Sequence, residues 1–133
     1  MTEVAISLSL AALLVGGLVL GYVQSIRRAE WSAYSLAAQS LAMQRIEQTR
    51  AAKWDPLDWP PVDQVVSENF PPMIEILDIP MATTNGVTAT LFTTIATVTA
   101  TPPLKLIRVD CVWPFMDGNV FTNTITTCRA PDQ

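Results

Sequence analysis

The chain opens with an uninterrupted apolar stretch: from Val4 to Val23 it carries no charge, no Asn and no Pro. At about 1.5 Å per helical residue, a run of about twenty residues matches the roughly 30 Å hydrocarbon core of a bilayer. The pattern predicts a membrane-spanning helix from Val4 to Val23, with Leu14 near its middle. Its leucines and alanines favour helix, whereas Gly16, Gly17 and Gly21 are its softest points. Polar residues then appear, but no Pro or Gly lies between Gly21 and Pro56. The helix is therefore expected to continue to Lys53, about 50 residues and roughly 75 Å in all. On a helical wheel Trp31, Tyr34, Ala38, Leu41, Ala42 and Ala52 share one side, and Leu36 and Met43 fall nearly opposite. The first stripe suits the protein's own sheet; Leu36 and Met43 ask for another molecule as a packing partner.

Prolines at 56, 60 and 61 end the helix, and residues 54–72 read as a Pro-rich connecting loop. Within it, Trp54 and Trp59 are expected to cap the bottom of a core. From Met73 the pattern changes to Val, Ile, Thr and Phe punctuated by turn residues, predicting strands at 73–79, 87–99, 104–113 and 120–128. Asn85-Gly86 and Asp117-Gly118 favour tight antiparallel connections. In the second strand the apolar set changes parity, from Val87, Ala89 and Leu91 to Phe92, Ala96 and Val98, so a bulge is expected near Thr93. The thirteen threonines from Thr83 to Thr127 suit the exposed face of such a sheet. The fold class is α+β: a long N-terminal helix (1–53), the loop (54–72) and a small antiparallel β head (73–133).

Charge sharpens this division. Residues 1–53 hold five basic and three acidic side chains, and residues 54–133 hold three basic and nine acidic. An acidic head argues against a nucleic-acid partner, because phosphate binding needs clustered Lys and Arg. The sequence contains no His, which removes the commonest general base and metal ligand. Cys111 and Cys128 do not form a zinc-binding pattern, and Asp55, Asp58 and Asp63 lack the spacing of a calcium loop. No phosphate-cradling loop, nucleophile elbow or metalloprotease motif is present. The chain reads as a non-enzyme without cofactor or metal.

The charges flanking the span pose a contradiction. Glu3 precedes it and Arg27-Arg28 follow it, so the positive-inside rule would place the head in the cytoplasm. The features of a secretory signal peptide, a basic start, a short apolar run and a small-residue cleavage site, are not evident. A basic segment upstream of Met1 would resolve the conflict. Met1-Thr2-Glu3-Val4-Ala5-Ile6-Ser7-Leu8 resembles the mature start of type IV pilins and type II secretion pseudopilins, whose basic leader ends in Gly before Phe-Thr-x-x-Glu and an apolar helix. The Gly-Phe-Thr junction itself is absent, and the chain is expected to begin at an internal Met or without its leader. Residues 35–50, with Leu41-Ala42 and Ile46-Glu47, are similar to the helix extension of PilV-like minor pilins and I-type minor pseudopilins. Residues 104–113 resemble their penultimate strand.

The resemblance implies a filament subunit held in the bacterial inner membrane by one span, with its head in the periplasm or outside, and on the cell surface once assembled. Its implied partners are other pilin or pseudopilin subunits, an inner-membrane assembly platform and a prepilin peptidase. Glu3 would be the assembly residue, meeting the N-terminal amine of a neighbouring subunit. The alternative is a single-pass membrane anchor carrying an extracytoplasmic binding module. Export favours a disulfide between Cys111 and Cys128. A tight turn at Asp117-Gly118, however, sets Cys111 opposite Thr124, with Cys128 roughly 13 Å further along, so a bridge requires a wider loop.

Overall fold

The computed structural model describes residues 2–77 and 86–132, the side chain of Asp117 excepted. Its first element is one α-helix, α1 (Thr2–Ala51), unbroken through Gly16, Gly17 and Gly21. The chain divides into two compact units, Met1–Ala33 and Tyr34–Gln133. The second half of α1 thus belongs to the head, since its buried residues, Ala38, Ala42, Arg45, Ile46 and Thr49, all lie there.

In the first unit every described residue up to Ala29 is exposed. This helix is long and apolar enough to cross a membrane. Its two early hydroxyls are satisfied internally: Ser7 Oγ donates to the carbonyl of Glu3 at 2.9 Å and Ser9 Oγ to that of Ala5 at 2.8 Å. Such back-bonding lets Ser sit in an apolar setting without an unmet donor.

Among its described residues the second unit carries six strands. Two short ones, β1 (Trp54–Asp55) and β2 (Val62–Asp63), pair within what reads in sequence as plain loop. The other four, β3 (Met73–Leu77), β4 (Val87–Ala100), β5 (Pro103–Phe115) and β6 (Asn119–Arg129), form an antiparallel sheet in the order β3-β4-β5-β6. The expected end of β3 at Ile79 and the Asn85 turn position lie outside the described residues. Gly86 is needed for close approach, because a Cβ there would meet Ile76 Cγ2 at 2.5 Å.

One face of the sheet is the core. Ala89, Leu91, Ile107, Val109, Cys111 and Trp113 are buried there with Ala38, Ala42 and Ile46 of α1. Two alanines on the buried side of α1 present little bulk, so backbone can lie close to a sheet face that carries a tryptophan. Tyr34, Trp113, Phe115 and Phe121 form an aromatic cluster, with Tyr34 and Phe121 stacked on either side of Trp113 at centroid distances of 6.0 and 5.3 Å. Trp54 and Val65 complete the core from the connecting segment.

Three expectations are corrected. The β4–β5 register is continuous from Thr90 to Thr97 and shifts only between Thr97 and Thr99, so the irregularity falls at Val98, not near Thr93. The core-facing set stays on odd residues through Ile95, and Phe92 simply lies on the outer face, 43% exposed. Trp59 does not cap the core: it is 92% exposed, whereas Trp54 is buried. The β5–β6 turn is not a two-residue one. Phe115 pairs with Asn119 across the one-turn helix Met116–Gly118, in which Gly118 has φ +77°. A three-residue connection ending in a left-handed Gly is a standard hairpin solution, and it moves the register by one residue.

Candidate functional site

Glu3 lies in the first turn of α1, where a carboxylate complements the partial positive charge of the exposed helix amides. Val4, Leu14 and Val23 lie on the exposed apolar helix, with Leu14 69% accessible, and a Cβ on Gly16 or Gly17 would meet nothing within 4 Å beyond the helix's own neighbouring backbone. In the second unit Leu36 and Met43 are 73% and 49% exposed. That exposure follows from their place on α1 away from Ala38, Ala42 and Ile46. Glu3 and the apolar first half of α1 belong to one unit, Leu36 and Met43 to the other.

The cysteine pair comes apart. Cys111 is buried on the core face opposite Asn123, and Cys128 is exposed opposite Leu106. Asn123 and Cys128 are five residues apart on β6, an odd separation, so the two thiols point to opposite faces and stand about 17 Å apart along the strand. A bridge needs Cα atoms within about 7 Å, and none can form between them in this sheet. Burial pushes the Cys111 thiol up to about 11.

Polar residues that the sequence pattern leaves unassigned fasten the connecting segment. Lys105 is buried on the core face of β5, where its Nζ donates to Asp63 Oδ1 at 2.7 Å and to the carbonyl of Val65 at 2.6 Å. It also lies 4.7 Å from the centroid of the Trp54 ring, a cation–π contact. Arg45 of α1 donates to Pro71 O at 2.8 Å and Thr93 Oγ1 at 3.2 Å, and its guanidinium lies 5.3 Å from the centre of Phe70. Desolvation lowers its pKa. Arg129 donates to the carbonyl of Thr49 at 2.6 Å and to Asp132, whose carboxylate also accepts the backbone N–H of Trp54 at 2.9 Å. The Trp54 N–H, and then Arg129, hold Asp132 below the usual carboxylate range. Lys105 had a signal in sequence: it shares the parity of Ile107, Val109, Cys111 and Trp113. Arg45 had none, because its acceptors come from residues 71 and 93.

The acidic loop is used locally. Asp55 accepts the N–H groups of Leu57 and Asp58 at 3.0 and 3.1 Å, and Asp58 pairs with Lys53, which lowers the Asp58 pKa and raises that of Lys53. Among the described residues no group of three or more acidic, Cys or His side chains could hold a metal ion. The arrangement offers surfaces for packing and hydrogen bonding. Comparison of the chain with family models, with curated proteins and with solved structures finds no match.

Proposed function

We propose that this chain is a structural subunit of a filament of the type IV pilus or type II secretion pseudopilus kind. In this reading it is held in the bacterial inner membrane by the first half of α1, with its head on the periplasmic side, and enters the filament through that helix. The observation that carries the reading is the division of α1: an exposed apolar half preceded by Glu3, and a half buried against an antiparallel sheet with Leu36 and Met43 left facing outward. An apolar helix of this length, exposed throughout its first half, is stable only among lipids or among other helices. A filament subunit exchanges one for the other. Leu36 and Met43 supply apolar contacts for neighbouring subunits.

Glu3 sets register. A carboxylate at the edge of an apolar span is costly unless it finds a cation, and the N-terminal amine of a neighbouring subunit supplies one. Because desolvation offsets much of the Coulomb gain, the pair selects an alignment more than it adds affinity. The test is Glu3→Gln and Glu3→Ala, expressed with a basic leader, followed by recovery of filaments. Loss of incorporation with normal membrane levels and a folded head supports the reading. Wild-type incorporation of both variants leaves Glu3 a membrane-boundary residue and removes this mechanism.

A further inference from the structure

The four-stranded sheet ends in two edges, β3 and β6. An edge strand presents a row of backbone N–H and C=O groups that can template another strand, and proteins that stay apart blunt such edges with charge, Pro, bulges or a covering segment. Among the described residues, β6 has none of these over 122–128. Thr122, Asn123, Thr124, Ile125, Thr126, Thr127 and Cys128 carry no charge and no Pro, their pairing with β5 has no register shift, and they are rich in strand-favouring residues. Among the described residues no backbone bond of this stretch is made other than to β5. At the opposite edge, among the described residues, the five residues of β3, one of them Glu75, pair only with β4.

We propose that the free edge of β6 takes the free edge of β3 from a second copy of this chain, in antiparallel register, so that one sheet runs from head to head. This names the head contact within the filament reading and rests on it. The strand count supplies the geometry. With four antiparallel strands, β3 and β6 run in opposite directions. A copy displaced sideways without being turned over therefore sets its β3 antiparallel to β6, the favourable ladder. Such a repeat keeps every core face, and the part of α1 packed on it, on the same side. By contrast, antiparallel pairing of β6 with β6 requires a two-fold axis, which reverses the second head along the strand direction. Edges that are different on the two sides give a head-to-tail contact, and contacts of that kind propagate into open assemblies.

Face matching restricts the register. The core side is odd-numbered in both β3 and β6, so paired residue numbers must add to an even total. Ile74 then meets Thr122, Thr124, Thr126 or Cys128 on the outer face, where Ile74 is 71% exposed. Five paired residues make about five hydrogen bonds. That is a weak single contact, suited to reinforcing neighbours already aligned by their spans.

The experiment uses full-length protein in membranes, with Cys128→Ser to remove the native exposed thiol. Copies carrying Ile74→Cys are mixed with copies carrying Thr122→Cys, Thr124→Cys or Thr126→Cys, or with copies that keep the native Cys128, and oxidised. A mixed 74-to-β6 crosslink at one of the four positions, without like-to-like crosslinks, is expected. A second pair, Thr126→Pro and Thr127→Pro, places the missing N–H on either side of the strand. Whichever variant keeps the head folded should lose the mixed crosslink, at whichever of these positions it forms, by tenfold or more. Crosslinks between two Thr126→Cys copies alone, or none at any position, would overturn the proposal. Filaments that form without the mixed crosslink defeat this contact and leave the filament reading standing; a mixed crosslink in membranes that yield no filaments does the reverse.

Discussion

The indole nitrogen of Trp113 donates to Asn123 Oδ1 at 2.8 Å, and Asn123 Nδ2 donates in turn to the Ser35 carbonyl at 3.2 Å and hydroxyl at 3.1 Å. One side chain on β6 thereby joins the fully buried tryptophan of β5 to the start of the head's share of α1. Replacing Asn123 by Ala strands a buried N–H and leaves a Ser35 carbonyl without its side-chain partner. The expected loss is about 1–3 kcal/mol, seen as a midpoint lowered by roughly 4–8 °C per kcal/mol for a domain of this size. Adding Trp113→Phe to Asn123→Ala should cost less than the sum of the single changes, because the orphaned donor is gone. Strict additivity in a double-mutant cycle would show that the bridge contributes nothing.

Lys105 is the second point of leverage. Its side chain is 9% exposed and that of Asp63 43%, so the pair is screened on one side only. Lys105→Met removes the cation, leaves the Val65 carbonyl buried without its donor, and leaves Asp63 with the Val65 N–H at 3.1 Å but no countercharge. A loss of about 2–3 kcal/mol is expected, with the connecting segment opening first. Asp63→Asn should cost less, since Lys105 keeps the carbonyl and the Trp54 ring. Hydrogen exchange at Val65 and Gln64 distinguishes local release from global unfolding: faster exchange there at unchanged rates in β5 is the anticipated outcome.

The two thiols should behave oppositely. Cys128 is exposed and reacts with a thiol reagent at neutral pH, whereas Cys111 is buried with its thiol raised to about 11. Thiolate is the reactive form, so labelling of Cys111 should be slower by about a hundredfold or more and should track unfolding. Mass spectrometry of unreduced protein should find both thiols free. A Cys111–Cys128 bridge would mean that the β5–β6 register is wrong.

Acid should loosen the closure made by Asp132. Its carboxyl is held below the ordinary carboxylate range by the Trp54 N–H and by Arg129. The folded-state value lies below the unfolded one, so the stabilisation is fully present above the unfolded value. It is lost as pH falls through the folded one. Asp132→Asn should flatten that part of the stability profile, and the two curves should converge at low pH. Parallel curves across the acid range would assign the acid sensitivity to other groups.

How far the sequence carries depends on whether a feature is local. The span, the continuation of α1 past Trp31 and the four long strands follow from periodicity and turn residues, which act over a few positions. The buried stripe was legible at Ala38 and Ala42, but Arg45 and Thr49 were not, because their burial is made tolerable by acceptors distant in the chain or by a backbone bond: Pro71, Thr93 and the Ile46 carbonyl. The bulge at Val98 and the hairpin at Gly118 were displaced for a related reason. Turn residues signal that the chain reverses, but loop length sets register, and a single residue of slip moves Cys111 from Thr124 to Asn123. Leu36 and Met43, expected on the side of the helix away from the stripe, are 73% and 49% exposed.

Trp59 stands 92% exposed on a loop whose backbone is pinned by the carboxylates of Asp55 and Asp58, while Trp54 and Trp113 are buried. The molecule therefore carries optically distinct indoles. Emission from Trp59 should be red-shifted and open to acrylamide even in the folded head, and its contribution should change little on unfolding. The two core tryptophans should be blue-shifted and quencher-resistant until the sheet opens. With Trp31, 40% exposed, replaced by Phe, any neighbour that settles over the tip of residues 55–60 would shift the red component alone. Steady-state fluorescence can then tell association from unfolding without a label.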